Sequence, residues 1–227
     1  MAIPSPLRSR PTVAALLTLT FVTGLVDAVS YLRLSHVFVA NMTGNVVFLG
    51  FSADRHSGQS AIASLVAIAG FTLGAMAGGR LANTLTPARP GPWLAVAFAA
   101  ESVILALVAV LTAVAVLPFT GHGNLATIAI LAAALGLQNS TVRHLGAADL
   151  TTTVLTLTIT GLAADSRLVG GPSAKPHRRL GSVAAMLAGA AAGAGILQWS
   201  ATAAIAVAAV LVAAVAVAFT AAARRRT

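Results

Sequence analysis

Apolar blocks separated by short polar breaks run along almost the whole chain. They fall at about residues 12–32, 37–53, 60–83, 93–117, 124–143, 148–165, 180–198 and 201–222. Most of them are long enough to cross the roughly 30 Å hydrocarbon core of a bilayer as an α-helix. The second and sixth have only about 17 residues, and each would still reach about 26 Å as a helix. The pattern predicts an all-α integral membrane protein with about eight transmembrane helices, in a single membrane domain over residues 1–227.

Six spans are the alternative, with the second and sixth blocks left out of the count. With the N-terminus inside, eight spans place ten Lys and Arg inside and four outside, whereas six spans place twelve inside and two outside, so the positive-inside rule favours six. We nevertheless expect eight, because a helix that runs about 26 Å inward from one surface ends near the other. Both termini are then cytoplasmic.

The order of the blocks indicates an internal duplication, over about residues 12–117 and 124–222. Each half has a long span, a short polar span, a basic loop and a span rich in small residues. Gly24-Leu25-x-Asp27 is echoed by Gly136-Leu137-x-Asn139. Four spans in each half would give both copies the same orientation, which predicts a parallel repeat about an axis near the membrane normal.

Polar side chains inside the apolar blocks are the candidates for function. A carboxylate at membrane depth costs roughly 2.5 to 3.5 kcal/mol, which makes Asp27 a candidate for a functional site. Counted from the helix ends, the candidates lie roughly 6 to 12 Å below the outer surface. We predict one polar site between the halves, formed from Asp27, Asn41, Thr43, Gly44, Asn45, Glu101, Gln138, Asn139, Arg143, Thr152 and Thr156.

This prediction has a geometric requirement. Asp27 and Asn45 must lie within about 10 to 12 Å of Asn139 and Thr156, across a cavity of a few hundred Å³. Such a site suits the passage of a small solute or ion, with Asp27 carrying the charge. The alternative is a structural, lipid-interacting or accessory membrane protein, in which Asp27 pairs with Arg33 or Arg143 and the amides and hydroxyls join helices.

Other functional classes find little support in the sequence. There is no His-Glu-x-x-His, Gly-x-Ser-x-Gly or Walker A motif, and the five histidines include no i, i+4 pair. We therefore expect no enzyme activity, metal site or cofactor. The net charge of +9 is spread between apolar blocks, which indicates topology and contact with the lipid bilayer rather than with nucleic acid. Glycine stripes at Gly70, Gly74 and Gly78 and at Gly189 and Gly193 predict close helix packing and leave an oligomer open.

Two pairs of motifs resemble the YoaK-type family of bacterial inner-membrane proteins. The first pair is Asp27-Ala28-Val29-Ser30-Tyr31-Leu32 with Phe38-Val39-Ala40-Asn41-Met42-Thr43-Gly44-Asn45, and the second is Gln138-Asn139 followed by Arg143-His144-Leu145-Gly146 with Thr152 and Thr156. The resemblance covers about residues 15 to 220, and the Asn-Met-Thr-Gly-Asn block is its most specific part. Leu157 departs from the pattern, since the second half of the family often has Gly after Thr. The family is a domain of unknown function, so the resemblance implies a multi-pass protein of the bacterial inner membrane and no particular activity.

Overall fold

Eight α-helices make up the fold of the part of the chain that the structure describes. The computed structural model describes residues 10–85, 90–121, 123–145, 155–166, 169–171 and 176–224. The helices are α1 (Arg10–Arg33), α2 (Met42–Phe51), α3 (Ala61–Leu85), α4 (Pro90–Ala113), α5 (Asn124–His144), α6 (Leu155–Ala164), α7 (Pro176–Ile196) and α8 (Ala201–Arg224). The predicted all-α membrane protein is confirmed.

The helices fall into two length classes. Six of them, α1, α3, α4, α5, α7 and α8, are long and apolar enough to cross a membrane. In contrast, α2 has 10 residues, so it is about 15 Å long, half the thickness of the hydrocarbon core. The described part of α6 also has 10 residues. The prediction of about 17 helical residues over 37–53 is wrong, because the chain becomes helical only at Met42. The basis for counting eight spans is therefore lost.

The first helix of each half lies at the centre of the bundle. In both α1 and α5, 67% of the most apolar stretch is buried, compared with 17 to 39% in the other long helices. The two helices run antiparallel: Gln138 Nε2 donates to Thr23 Oγ1 over 2.8 Å, and Asn124 Nδ2 donates to Ser35 Oγ over 2.8 Å. Early positions of one helix thus meet late positions of the other.

The last helix of each half shows the same relation. Thr202 at the start of α8 donates to Thr112 at the end of α4 over 3.2 Å, and Phe98 near the start of α4 stacks with Phe219 near the end of α8 at 5.7 Å. The pairs α1 with α5 and α4 with α8 therefore each run antiparallel. This does not agree with the predicted parallel repeat, in which they would share one direction.

Two close crossings, α1 with α7 and α3 with α5, depend on glycine. A Cβ on Gly24 would meet the Met186 carbonyl oxygen, and a Cβ on Gly136 would meet the Phe71 carbonyl oxygen. These are the two glycines of the motif that recurs in both halves, and each contacts the backbone of a small-residue helix. The helix backbones consequently touch at the same motif position in the two crossings.

The glycine stripes complete the same two crossings from the other side. A Cβ on Gly70 or Gly74 would meet a carbonyl oxygen of α5, and a Cβ on Gly78 would meet the Ser140 side chain; a Cβ on Gly189 or Gly193 would meet a carbonyl oxygen of α1. The predicted packing role of these glycines is confirmed. Both stripes are therefore occupied by contacts within the chain.

Candidate functional site

The chain reverses direction immediately after α1. Ser35 and His36 have φ angles of 54° and 56°, the left-handed conformation that costs a non-glycine residue about 1–2 kcal/mol. Residues 37–41 then run back beside the last turns of α1 without forming regular structure. A strained turn of this kind persists only where other contacts hold the returning segment.

Asp27 supplies the first of those contacts. Its Oδ1 accepts hydrogen bonds from the backbone N–H groups of Val39, over 3.0 Å, and Ala40, over 2.9 Å. Asp27 precedes Arg33, the last residue of α1, by six residues, so the returning segment runs about 9 Å back along the helix. The side chain of Asp27 is 5% exposed, and its Oδ2 has no partner among the described residues.

Asn45 supplies the second contact. Its Oδ1 accepts from the Phe38 N–H over 2.9 Å, and its Nδ2 donates to the Phe38 carbonyl over 2.6 Å, with the side chain fully buried. Backbone groups left unpaired at membrane depth cost several kcal/mol each, so these bonds allow irregular backbone to persist there. The amide of Asn45 is therefore used within its own segment.

An aromatic cluster fixes the direction of α2. The Tyr31 ring stacks on Phe38 at 5.0 Å, and Phe48 lies 5.6 Å from Phe38 and 6.0 Å from Tyr31. The N-terminus of α2 lies next to Val39 and Ala40, at the level of Asp27 in α1. Phe48, further along α2, contacts Tyr31, which is nearer the end of α1 than Asp27 is. It follows that α2 runs in the same direction as α1 and returns residues 52–60 to the side where α1 ends.

A cleft of about 310 Å³ lies between α1, the returning segment and α7. Asp27, Tyr31, Phe38 and Asn41 line it from the first half, and Met186 and Ala190 line it from α7. Its surface is mainly apolar. Neither Asn139 nor Thr156 lines this cleft, so it does not join the two motifs as predicted.

The other candidates of the first half have different environments. Gly44 is required by packing, because a Cβ there would lie 2.8 Å from the Phe38 ring. Thr43 is exposed on the outer face of α2. Glu101 is fully buried in α4, and neither of its carboxyl oxygens has a partner among the described residues. It does not line the cleft beside Asp27 and marks a separate polar position.

The described candidates of the second half are divided between the bundle interior and its surface. Gln138 is buried and bonded to Thr23, and Asn139 is half-buried and donates to the Leu135 carbonyl over 2.9 Å. Arg143 and Thr156 are exposed, and Thr152 lies outside the described residues.

The antiparallel arrangement changes what the two motif positions mean. Asp27 and Asn139 each lie a few residues before the end of a helix, but α1 and α5 run in opposite directions. The hydrogen bond from Gln138 to Thr23 nevertheless places Asn139 about one to two helical turns from Asp27 along the bundle axis. The single polar layer between the halves stays a prediction.

The ion pairs of the structural alternative are not formed either. The ion pairs between described residues are His56 with Asp54 and Arg179 with Asp165, and neither includes Asp27. Arg33 instead donates to the carbonyl oxygen of Leu197 over 3.0 Å.

Sequence reasoning missed the aromatic cluster and the contribution of α7 to the cleft. The signal for the cluster is Tyr31, the one tyrosine of the chain, followed closely by Phe38 and Phe48. Met186 and Ala190 carry no comparable signal, because their role depends on the crossing of α7 with α1.

Comparisons with known proteins place these features in context. A family model described as "Protein of unknown function (DUF1275)" matches residues 15–218. The chain is 36% identical over 161 residues to the UPF0700 transmembrane protein YoaK of Bacillus subtilis (strain 168), in an alignment that covers 69% of this chain and 67% of that protein. No solved structure matches the chain.

Proposed function

We propose that this chain, which belongs to the DUF1275 family of proteins of unknown function, carries a small solute or ion across the bacterial inner membrane. The observation that carries the proposal is the irregular segment held against α1 by Asp27, with the second carboxyl oxygen of Asp27 left unpaired beside a cleft. Irregular backbone at membrane depth is tolerated where it is buried in protein or lines a cavity. Broken helices of this kind form the substrate and ion sites of many transporters.

The proposed topology has six membrane-crossing helices, with both termini in the cytoplasm. In this arrangement α2 enters and leaves on the outer side, and we propose the same for α6 on the inner side. Three crossings in each half is an odd number, so the halves are inverted copies, a design common among secondary transporters. The antiparallel contacts of α1 with α5 and of α4 with α8 support it. So does the charge bias, with twelve Lys and Arg inside and two outside.

The test compares two substitutions of Asp27. Asp27→Asn retains an oxygen that accepts from Val39 and Ala40 and replaces the unpaired Oδ2 with a neutral NH2 group, so the protein should remain folded. Asp27→Ala leaves two buried N–H groups without an acceptor, which costs about 1–3 kcal/mol for each group, so it should lower the thermal stability. Asp54→Asn is the matched control, because the Asp54 side chain is 68% exposed.

Flux into proteoliposomes is the measurement. Wild-type protein should pass at least one member of a panel of small solutes and ions faster than protein-free vesicles do. Asp27→Asn should reduce that flux at least about tenfold, the loss that 1.4 kcal/mol of lost stabilisation produces, and Asp54→Asn should leave it unchanged. A wild-type flux no faster than that of empty vesicles across the panel would refute the proposal.

A structural or accessory role is the second candidate. It is favoured by the hydrogen bonds of Asp27 and Asn45 to the returning backbone, which serve folding. In that case Asp27→Asn should keep the thermal stability of the wild type in detergent, because it retains the acceptor oxygen, and no solute should stabilise the wild type.

A further inference from the structure

The cleft beside Asp27 has a carboxyl oxygen without a partner among the described residues. Asp27 Oδ2 is buried and unpartnered, although Oδ1 of the same carboxyl group accepts two hydrogen bonds. No Lys, Arg or His is among the described residues that line the cleft. A ligand that completes this site must bring either a positive charge or a hydrogen-bond donor to Oδ2.

Two aromatic rings line the same cleft as Asp27. Tyr31 and Phe38 both line the cleft and stack at 5.0 Å, and Phe48 supports Phe38 at 5.6 Å. The face of an aromatic ring attracts a cation within about 6 Å, most strongly where water is excluded. A carboxylate beside aromatic rings is the arrangement that recognises ammonium groups.

The walls and the size of the cleft define the rest of the ligand. Met186 and Ala190 give one apolar wall, and the volume of about 310 Å³ is at the small end of the range for ligand pockets. A bare metal cation is a poor match, because Ca²⁺ and Mg²⁺ need six or more oxygen ligands. Among the described lining residues only Asp27, Tyr31 and Asn41 have polar side-chain atoms.

We infer that this cleft binds a small organic cation, an alkylammonium group with its nitrogen at Asp27 Oδ2 and its carbon atoms against Tyr31, Phe38 and Met186. This inference rests on the proposed function, since the cation would be the solute that is carried. The ammonium group comes either from a free amine or from the headgroup of a membrane lipid, because the cleft opens next to Leu32, which is 51% exposed.

Binding in detergent tests the inference without any need for transport. The probes are choline and 3,3-dimethyl-1-butanol, which have the same shape but differ in charge. Choline should raise the melting temperature of the wild type in a saturable manner, and the neutral alcohol should not. Asp27→Asn should weaken choline binding at least about tenfold, and Phe38→Leu should weaken it by about 2- to 30-fold, the range that corresponds to a cation–π contact.

Two controls keep the result interpretable. Asp54→Asn should bind choline as the wild type does, and the melting temperature of each unliganded variant shows whether it is folded. Equal stabilisation by choline and the alcohol would overturn the inference, because it would show a pocket selective for shape alone. A folded wild type that choline does not stabilise would overturn it as well.

Further arms identify the source of the ammonium group and separate this inference from the proposed function. If nanodiscs with phosphatidylethanolamine suppress choline binding relative to nanodiscs with phosphatidylglycerol, the inference stands and the ligand is a lipid headgroup. If both lipids allow equal binding, the inference stands and the ligand is a free amine. Saturable choline binding without choline flux in proteoliposomes would refute transport of this cation and retain the binding site. Flux of other solutes without choline binding would refute the binding site and retain the proposed transport function.

Discussion

A disulfide between positions 112 and 202 tests the direction of α4 relative to α8. The hydroxyl oxygens of Thr112 and Thr202 are 3.2 Å apart, so Thr112→Cys with Thr202→Cys would bring two sulfur atoms close to the roughly 2 Å length of a disulfide. We expect this pair to cross-link under mild oxidation. In a parallel arrangement, which eight spans require, the two residues would lie at opposite ends of helices of 24 residues, about 30 Å apart.

The assay is gel mobility after oxidation, with an inserted protease site between α6 and α7 so that only cross-linked halves remain together. The chain has no cysteine of its own, so there is no background. Thr112→Cys with Thr220→Cys is the control pair, because Thr220 lies about 27 Å along α8 from Thr202. Cross-linking of 112 with 220 but not with 202 would refute the antiparallel packing and restore the eight-span arrangement.

Two further predictions concern stability in detergent. Gly74→Ala should reduce the free energy of unfolding by about 1–3 kcal/mol, because the new methyl group would meet the Ala133 carbonyl oxygen at the α3–α5 crossing. The control, Gly195→Ala, has open space around it and should be neutral or stabilising. Equal melting temperatures for the two variants would contradict this account. Glu101→Met should increase the free energy of unfolding by up to about 3 kcal/mol, because it removes a buried carboxyl group that has no partner among the described residues. A melting temperature below that of the wild type would contradict this prediction and would indicate a partner outside the described residues.

Local sequence was sufficient for the class of the protein and for the glycine-lined faces at which its helices pack. Hydropathy predicts the six long helices because the transfer of apolar side chains into lipid depends on composition over about 20 residues. The stripes at Gly70, Gly74 and Gly78 predict close packing because residues four apart share one face of a helix. Asp27 was identified as a key residue by the cost of a carboxylate in hydrocarbon.

Only the tertiary structure decided the path of the second block and the location of the site. A block of about 17 apolar residues can cross the membrane or fold back, and hydropathy is the same for both paths. Here the reversal at Ser35 and His36, together with the hydrogen bonds from Val39 and Ala40 to Asp27, supplies partners to the returning backbone. The count of Lys and Arg had favoured this outcome, because charge bias depends on which side each loop reaches rather than on the length of a block.

The relative direction of the two motifs was also decided by the tertiary structure. The similarity of Gly24-Leu25-x-Asp27 to Gly136-Leu137-x-Asn139 predicts a duplication, but it does not show the direction of each copy. Here α1 and α5 run antiparallel, so positions equally far from the ends of the two helices are not equally far from one face of the bundle. Orientation of this kind is set by contacts between residues that are about a hundred positions apart, such as Thr112 with Thr202, and no local pattern contains that information.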